Sequence, residues 1–332
     1  MTSVSVAMAT YNGRKYIRGQ LDSLAAQSQR PSELVITDDC SADDTIAVIE
    51  AFAKSAPFPV KLSRNETRLG YRANFMRAAS LCGSELIAFC DQDDFWYPGK
   101  IASAVRPFAD PEVLLTYHNA DVVTDDGDRI SSLTRRLVPI VSGPWFYPLG
   151  FTEVFCRSLL SLSDLWPMSR DPVDGSQVSA HDVWFFFLAG VLGKVVYLDE
   201  PLVAYVQHGQ NAFGFTNLTF RQRTKMFFRN RAAELANFAE VANNRAAILD
   251  AAKDTLDGVW RKRAAASADY YKSLNIIVAE RSRLYTSRSP VDRARSFRTI
   301  LGKSGYASAW GLGHRALIVD ACIGIPVGPY LS

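Results

Sequence analysis

The chain has 332 residues, 48% of them hydrophobic and 21% charged, with a net charge of +3. That composition suits a soluble globular protein with a sizeable core and excludes a disordered or collagen-like chain. Five scattered cysteines without a C-x-x-C pair argue against a disulfide framework or a zinc site. No basic, apolar leader precedes "SVSVAMATYNG", and no run reaches the ~18 apolar residues that span a bilayer. The longest apolar candidate, "ALIVDACIGIPVG", is interrupted by Asp320, so the cytoplasm is the expected location.

In chain order, "VSVAMA" reads as a buried strand, followed by helical spacing at Ile17, Leu21, Leu24 and Ala25. "ELVITD" is a second strand; Ser41 with Asp44 three residues later resembles a capping box for a helix carrying Ile46, Ile49 and Phe52. "VKLSR" is a third strand, "RANFMRAASLC" a helix, and "ELIAFC" a fourth strand, with Pro98 suited to the first turn of the helix beyond. "VLLTYHNADVV" and "KVVYLD" read as further strands, "GPWFYPLGFTEVFCRSLL" as a loop feeding a core element, and "HDVWFFFLAGVLG" as an apolar helix. This alternation predicts an α/β fold with a mostly parallel sheet covered on both faces.

In such sheets ligands bind beyond the carboxyl ends of the strands. Three polar clusters fall there: "TYNG", "TDDCSADD" and "CDQDD". If the last stays extended, Asp91 and Asp93 share a side about 7 Å apart. There they could engage a polar ligand together with a divalent cation such as Mg²⁺, which commonly bridges one or two carboxylates to a diphosphate. The same acids also suit a solvated turn capping the next helix.

Taken together in order, "TYNG", "ITDDCSADDT", "NETRLGYRANF", "DQDDFW" and "HDVW" resemble glycosyltransferase family 2 over residues 3–213. The "DQDDFW … HDVW … YVQHGQN" variant is most similar to its bacterial rhamnosyltransferase-like branch. The resemblance implies a GT-A, Rossmann-like catalytic domain (1–215) and an inverting transfer from a dTDP- or UDP-linked sugar. The acceptor would be a hydroxyl of a cell-surface or lipid-linked glycan. By this resemblance Thr10 and Tyr11 line the base pocket, Asp39 accepts the pyrimidine imide N–H, and Arg68 approaches base or phosphate. Asp91 lies near the ribose, and Asp93 with His208 holds Mn²⁺ or Mg²⁺. Gly150 belongs to a small-residue loop near donor and acceptor, and Asp182 is the general base. His181 either hydrogen-bonds its neighbour or the acceptor, or is structural; Asp38 and Asp39 also suit a helix N-terminus. Val206 departs from the branch, where an Arg at this place would help to hold the diphosphate. The rival readings are a nucleotidyltransferase, for which "TYNGRKY" is a poor triphosphate loop, and a scaffold that binds nucleotide sugar without turnover.

The charge is divided unevenly. From Thr216 onward there are 19 Lys and Arg against nine Asp and Glu; before it, 18 against 25. Residues 216–332 therefore read as a basic helical extension, with Phe227, Phe228, Leu235 and Phe238 forming an apolar stripe and Arg221, Arg223, Arg229 and Arg231 around its start. Two readings stand for that stripe: a helix lying on an anionic membrane, or a subdomain packing on the sheet or on a second subunit as a homo-oligomer. No nucleic-acid motif accompanies the charge.

Overall fold

A computed structural model describes residues 2–134, 145–208, 220–307 and 313–330; the side chains of 220–229 lie outside the description. The chain divides into two compact units. The first holds the described residues of 1–136, 147–164 and 180–214; the second holds 145–146, 165–179 and those beyond 219.

In the first unit β1 (Val4–Thr10), β2 (Glu33–Asp38), β3 (Val60–Arg64) and β4 (Leu86–Cys90) form a parallel array in the order β3-β2-β1-β4. Helices α1 (Ile17–Ala25), α2 (Thr45–Ala53) and α3 (Tyr71–Ser80) make the crossovers. The inner strands are apolar along almost their whole length because both faces are covered. Beyond β4 the sheet becomes mixed. A three-residue strand, β8 (Val154–Cys156), pairs antiparallel with both β4 and the fully buried β6 (Val113–Val123). The aromatic-rich segment does therefore feed the core. β9 (Lys194–Val206) runs parallel to β6, β5 (Phe95–Trp96) is antiparallel to β9, and β7 (Arg129–Leu133) forms a hairpin with β6.

Three local expectations change. The helix after the second cluster starts at Thr45, with Asp44 in the cap position, because Ser41 is bound to Asp38 instead. Pro98 stands just before the Gly99 cap of α4 (Lys100–Val105), outside its first turn. The strand expected over 194–199 continues to Val206 past Pro201, which the sheet accommodates at register shifts opposite Asn119.

The second unit is helical. It contains α6 (Phe220–Ala252), α7 (Gly258–Thr286), α8 (Pro290–Gly302) and α9 (Gly313–Val319); α5 (His181–Leu192) belongs to the first unit. Ser289 caps α8 by accepting from Asp292 N–H at 3.2 Å, ahead of Pro290 in the first turn. Asp320, which interrupts the apolar C-terminal run, is fully buried against Arg281 and accepts from the Tyr285 and Tyr306 hydroxyls at 2.7 and 2.8 Å. Of the expected stripe, Leu235 is buried and Phe238 stacks on Trp145 with centroids 4.5 Å apart. Arg231 is paired with Glu234 at 3.5 Å. Phe227, Phe228, Arg221, Arg223 and Arg229 lie outside the described side chains. Among the described residues no helix is long and apolar enough to cross a membrane.

Candidate active site

The register of the parallel strands sets Thr10 opposite Asp38 and Met8 opposite Cys90, so the three polar clusters leave the sheet at one edge. The first two are tied together. Thr10 donates to Asp38 at 2.9 Å, Asn12 N–H donates to Ser41 Oγ at 2.9 Å, and Gly13 N–H to Thr45 Oγ1 at 2.8 Å. Asn12 returns the contact by accepting from Ala42 N–H at 2.9 Å, in a left-handed conformation with φ of 47°. Asp38 is thus occupied in shaping the rim, as is Asp43, which accepts from Arg14 N–H at 3.1 Å and from Thr45 N–H at 3.0 Å.

Asp39 is 2% exposed. Its carboxylate accepts from Asn65 Nδ2 at 2.8 Å and from the backbone N–H groups of Leu69 and Gly70 at 2.6 and 2.8 Å. A carboxylate offers about four acceptor positions, and three of them are filled here. Tyr11 is 37% exposed, and the Arg68 guanidinium lies 3.8 Å from its ring centroid.

The acidic run does not stay extended: residues 91–94 form a turn. Asp93 Oδ2 lies 3.0 Å from His208 Nε2, which joins the ends of β4 and β9. Asp94 is buried beneath, accepting from Val206 N–H at 3.3 Å, and burial followed by the charges of Asp91 and Asp93 pushes its carboxyl well up. Asp91 is pushed up to about 8, first by burial and then by Asp93 and Asp182. Asp182, in the first turn of α5, thus acts electrostatically on Asp91; its Oδ1 accepts from Val183 N–H at 2.8 Å.

Gly150 sits against that helix start. A Cβ there would lie 2.6 Å from His181 Nε2 and 3.4 Å from Asp182 Cβ. His181 cannot yield: its buried ring stacks on Phe75 at 4.0 Å and meets Phe89 edge-on at 4.5 Å. Burial, then Arg72, drives its pKa down to about 3, and neither ring nitrogen has a hydrogen-bond partner among the described residues. His181 thus serves as a neutral packing ring here. Gly150→Ala is expected to cost about 1–3 kcal/mol of stability, typical of overpacking, and to lower activity by displacing the start of α5. Chemical denaturation with steady-state assays checks both; unchanged values would mean that the loop adapts.

Two residues escaped the motif reading. Gln92, the spacer within "DQD", accepts from Tyr11 N–H and donates to Tyr11 O, both at 3.0 Å, fastening the base-side loop to the acidic turn. Gly13 permits this approach, since a Cβ would lie 2.2 Å from Gln92 Oε1. Lys100 is fully buried, donates to the Phe151 carbonyl and lies 3.4 Å from the Trp96 ring centroid. Burial lowers its pKa to about 7 against the pull of Cys90, Asp94 and Asp91. It is a buried amine close to the acids, linked to the Gly150 loop. Its signal in the sequence was a lysine opening a helix, where the dipole disfavours positive charge.

Among the described residues no three His, Cys, Asp or Glu side chains gather around one point. Asp93 and His208 together still offer one hard oxygen and one nitrogen donor. That fits Mn²⁺ or Mg²⁺, which complete their shells with phosphate oxygens and water.

The fold is of the GT-A type. The chain belongs to the family Glycosyl transferase family 2, whose model matches residues 5–170. An uncharacterised protein of Mycobacterium bovis is 27% identical over 68% of this chain and 63% of its own length. The dTDP-rhamnosyl transferase RfbG of Shigella flexneri is 25% identical over 69% of this chain and 83% of its own. In three dimensions the chain is similar to the S. aureus TarS 1-349 structure in complex with UDP-GlcNAc. The TM-score is 0.51, with 18% identity and 91% of each chain covered. The match thus spans less than two thirds of the mycobacterial relative's length.

Proposed function

We propose that this chain transfers a sugar, with rhamnose the first candidate, from a dTDP- or UDP-linked donor to a hydroxyl of a surface or lipid-linked glycan. The observation that supports the proposal is that the charges of both Asp93 and Asp182 act on the buried Asp91, which links the donor-side acids to the candidate base. Tyr11 offers a flat face for the nucleobase, and Asp39 keeps an acceptor position for an imide N–H. The pyrimidine class is further supported by relatives named for dTDP-rhamnose and solved with UDP-GlcNAc.

In this mechanism Asp91 binds the ribose. Asp182 accepts the proton of the acceptor hydroxyl as its oxygen attacks the anomeric carbon. The bond from that carbon to the diphosphate oxygen breaks in the same displacement, which inverts the anomeric centre. A divalent cation held by Asp93 and His208 would supply charge neutralisation at the departing diphosphate. Val206 brings no cation of its own to the phosphates, and its backbone N–H serves Asp94.

Thermal unfolding with dTDP, UDP and GDP, each with and without Mn²⁺, tests the reading. A ligand present at 100 times its dissociation constant adds about 2.7 kcal/mol, so dTDP or UDP with Mn²⁺ is expected to raise Tm by several degrees. Asp93→Asn is expected to lose the Mn²⁺ contribution. An equal response to GDP would remove the role given to Asp39. Release of dTDP from dTDP-rhamnose on turnover separates an enzyme from a nucleotide-binding scaffold.

A further inference from the structure

The contact between Asp93 and His208 is braced from outside. The imidazole of His208 lies flat on the ring of Tyr16, with centroids 4.3 Å apart and planes 11° from parallel. Tyr16 stands at the cap of α1, and its hydroxyl lies 3.2 Å from each oxygen of Asp125. Lys15 closes the group, donating to the Tyr16 hydroxyl at 2.7 Å and to Asp125 Oδ2 at 2.5 Å. Asp125 belongs to the turn between β6 and β7, which is itself closed by Gly127 N–H to Thr124 O and Thr124 N–H to Asp128 O, both 2.9 Å. Loops after β1, β4, β6 and β9 thus meet at one imidazole.

An imidazole can bind a cation only along the in-plane lone pair of its nitrogen, so the plane of the ring matters as much as its position. Stacking fixes that plane, and the hydroxyl anchor fixes the ring on which it stacks. Loss of the outer hydrogen-bond partners that orient metal-bound histidines alters metal affinity by about 10–100-fold in other sites, and a stacked ring acts on the same orientation.

We infer that Tyr16, anchored through its hydroxyl on Asp125, is a positioning residue that sets the plane of His208 and thereby the affinity of the site for a divalent cation. This rests on the reading of Asp93 and His208 as cation ligands.

The test titrates the full chain with Mn²⁺ and reads unbound Mn²⁺ by electron paramagnetic resonance. Tyr16→Leu is expected to weaken binding about tenfold; Tyr16→Phe, which keeps the stack and loses the anchor, is expected to weaken it less. In a His208→Ala background Tyr16→Leu is expected to have no further effect, because both changes act through the same ring. Binding within twofold of the unaltered chain in Tyr16→Leu, or full additivity with His208→Ala, overturns the inference while leaving the cation reading intact. Binding unchanged in His208→Ala removes His208 as a ligand and this inference with it. If the unaltered chain binds no Mn²⁺, both readings fall. Should Tyr16→Leu not fold, Asp125→Asn on the exposed turn carries the test: a loss of affinity supports the brace, and none overturns it.

Discussion

Asp182→Asn is expected to lower turnover by about 10²–10⁴-fold, the usual contribution of a general base, with little change in donor binding or stability. Asparagine has the size of aspartate, and its carbonyl oxygen can still accept from Val183 N–H at the start of α5. The replaced side chain cannot take a proton from the acceptor hydroxyl. Steady-state kinetics with thermal unfolding in dTDP or UDP separate the two effects. A fall in kcat with an intact nucleotide response is the expected result. Wild-type turnover would withdraw Asp182 from the mechanism.

The second large effect concerns stability. Glu153, just before β8, is fully buried, and neither carboxyl oxygen has a hydrogen-bond partner among the described residues. Burial first, then the Asp182 charge, pushes its pKa well above the ordinary value. The sign follows from proton counting. Above the ordinary glutamate pKa the unfolded chain releases this proton while the folded chain keeps it. The contribution of Glu153 is therefore full below the ordinary glutamate pKa and is lost as pH rises towards the raised folded value, by about 1.4 kcal/mol per pH unit. Glu153→Gln removes the titration. Its stability is expected to fall less between pH 5 and pH 8 than that of the unaltered chain. Urea unfolding at the two pH values checks it; parallel losses would mean that Glu153 ionises in the folded chain.

The strands β1, β2 and β4 were legible because parallel strands covered on both faces must be apolar throughout. Their short polar exits were legible as a site because strand direction alone sends them to one edge. The partners of those exits were hidden. Asp38 and Asp39 both suited a helix N-terminus, and only the closeness of Ser41 and Thr10 assigns Asp38 to the rim. Lys100 carries its meaning in burial, which no local pattern records. Leu165–Ser179 precedes the helical extension in the chain, yet it clusters with the second unit. Its attachments are Arg170 to Glu240 at 2.5 Å, and Asn237 Nδ2 to Pro172 O and Asn244 Nδ2 to Met168 O at 2.8 and 2.6 Å.

By itself, then, the order of residues determined the α/β alternation, the acids at the strand ends and the family to which they belong. These depend on side-chain period and spacing along one stretch of chain. Tertiary structure alone decided that Asp93 meets His208, that Gln92 fastens Tyr11 and that β8 enters the sheet antiparallel. Each joins residues tens of positions apart or more, and such contacts are selected by the packing of the whole sheet.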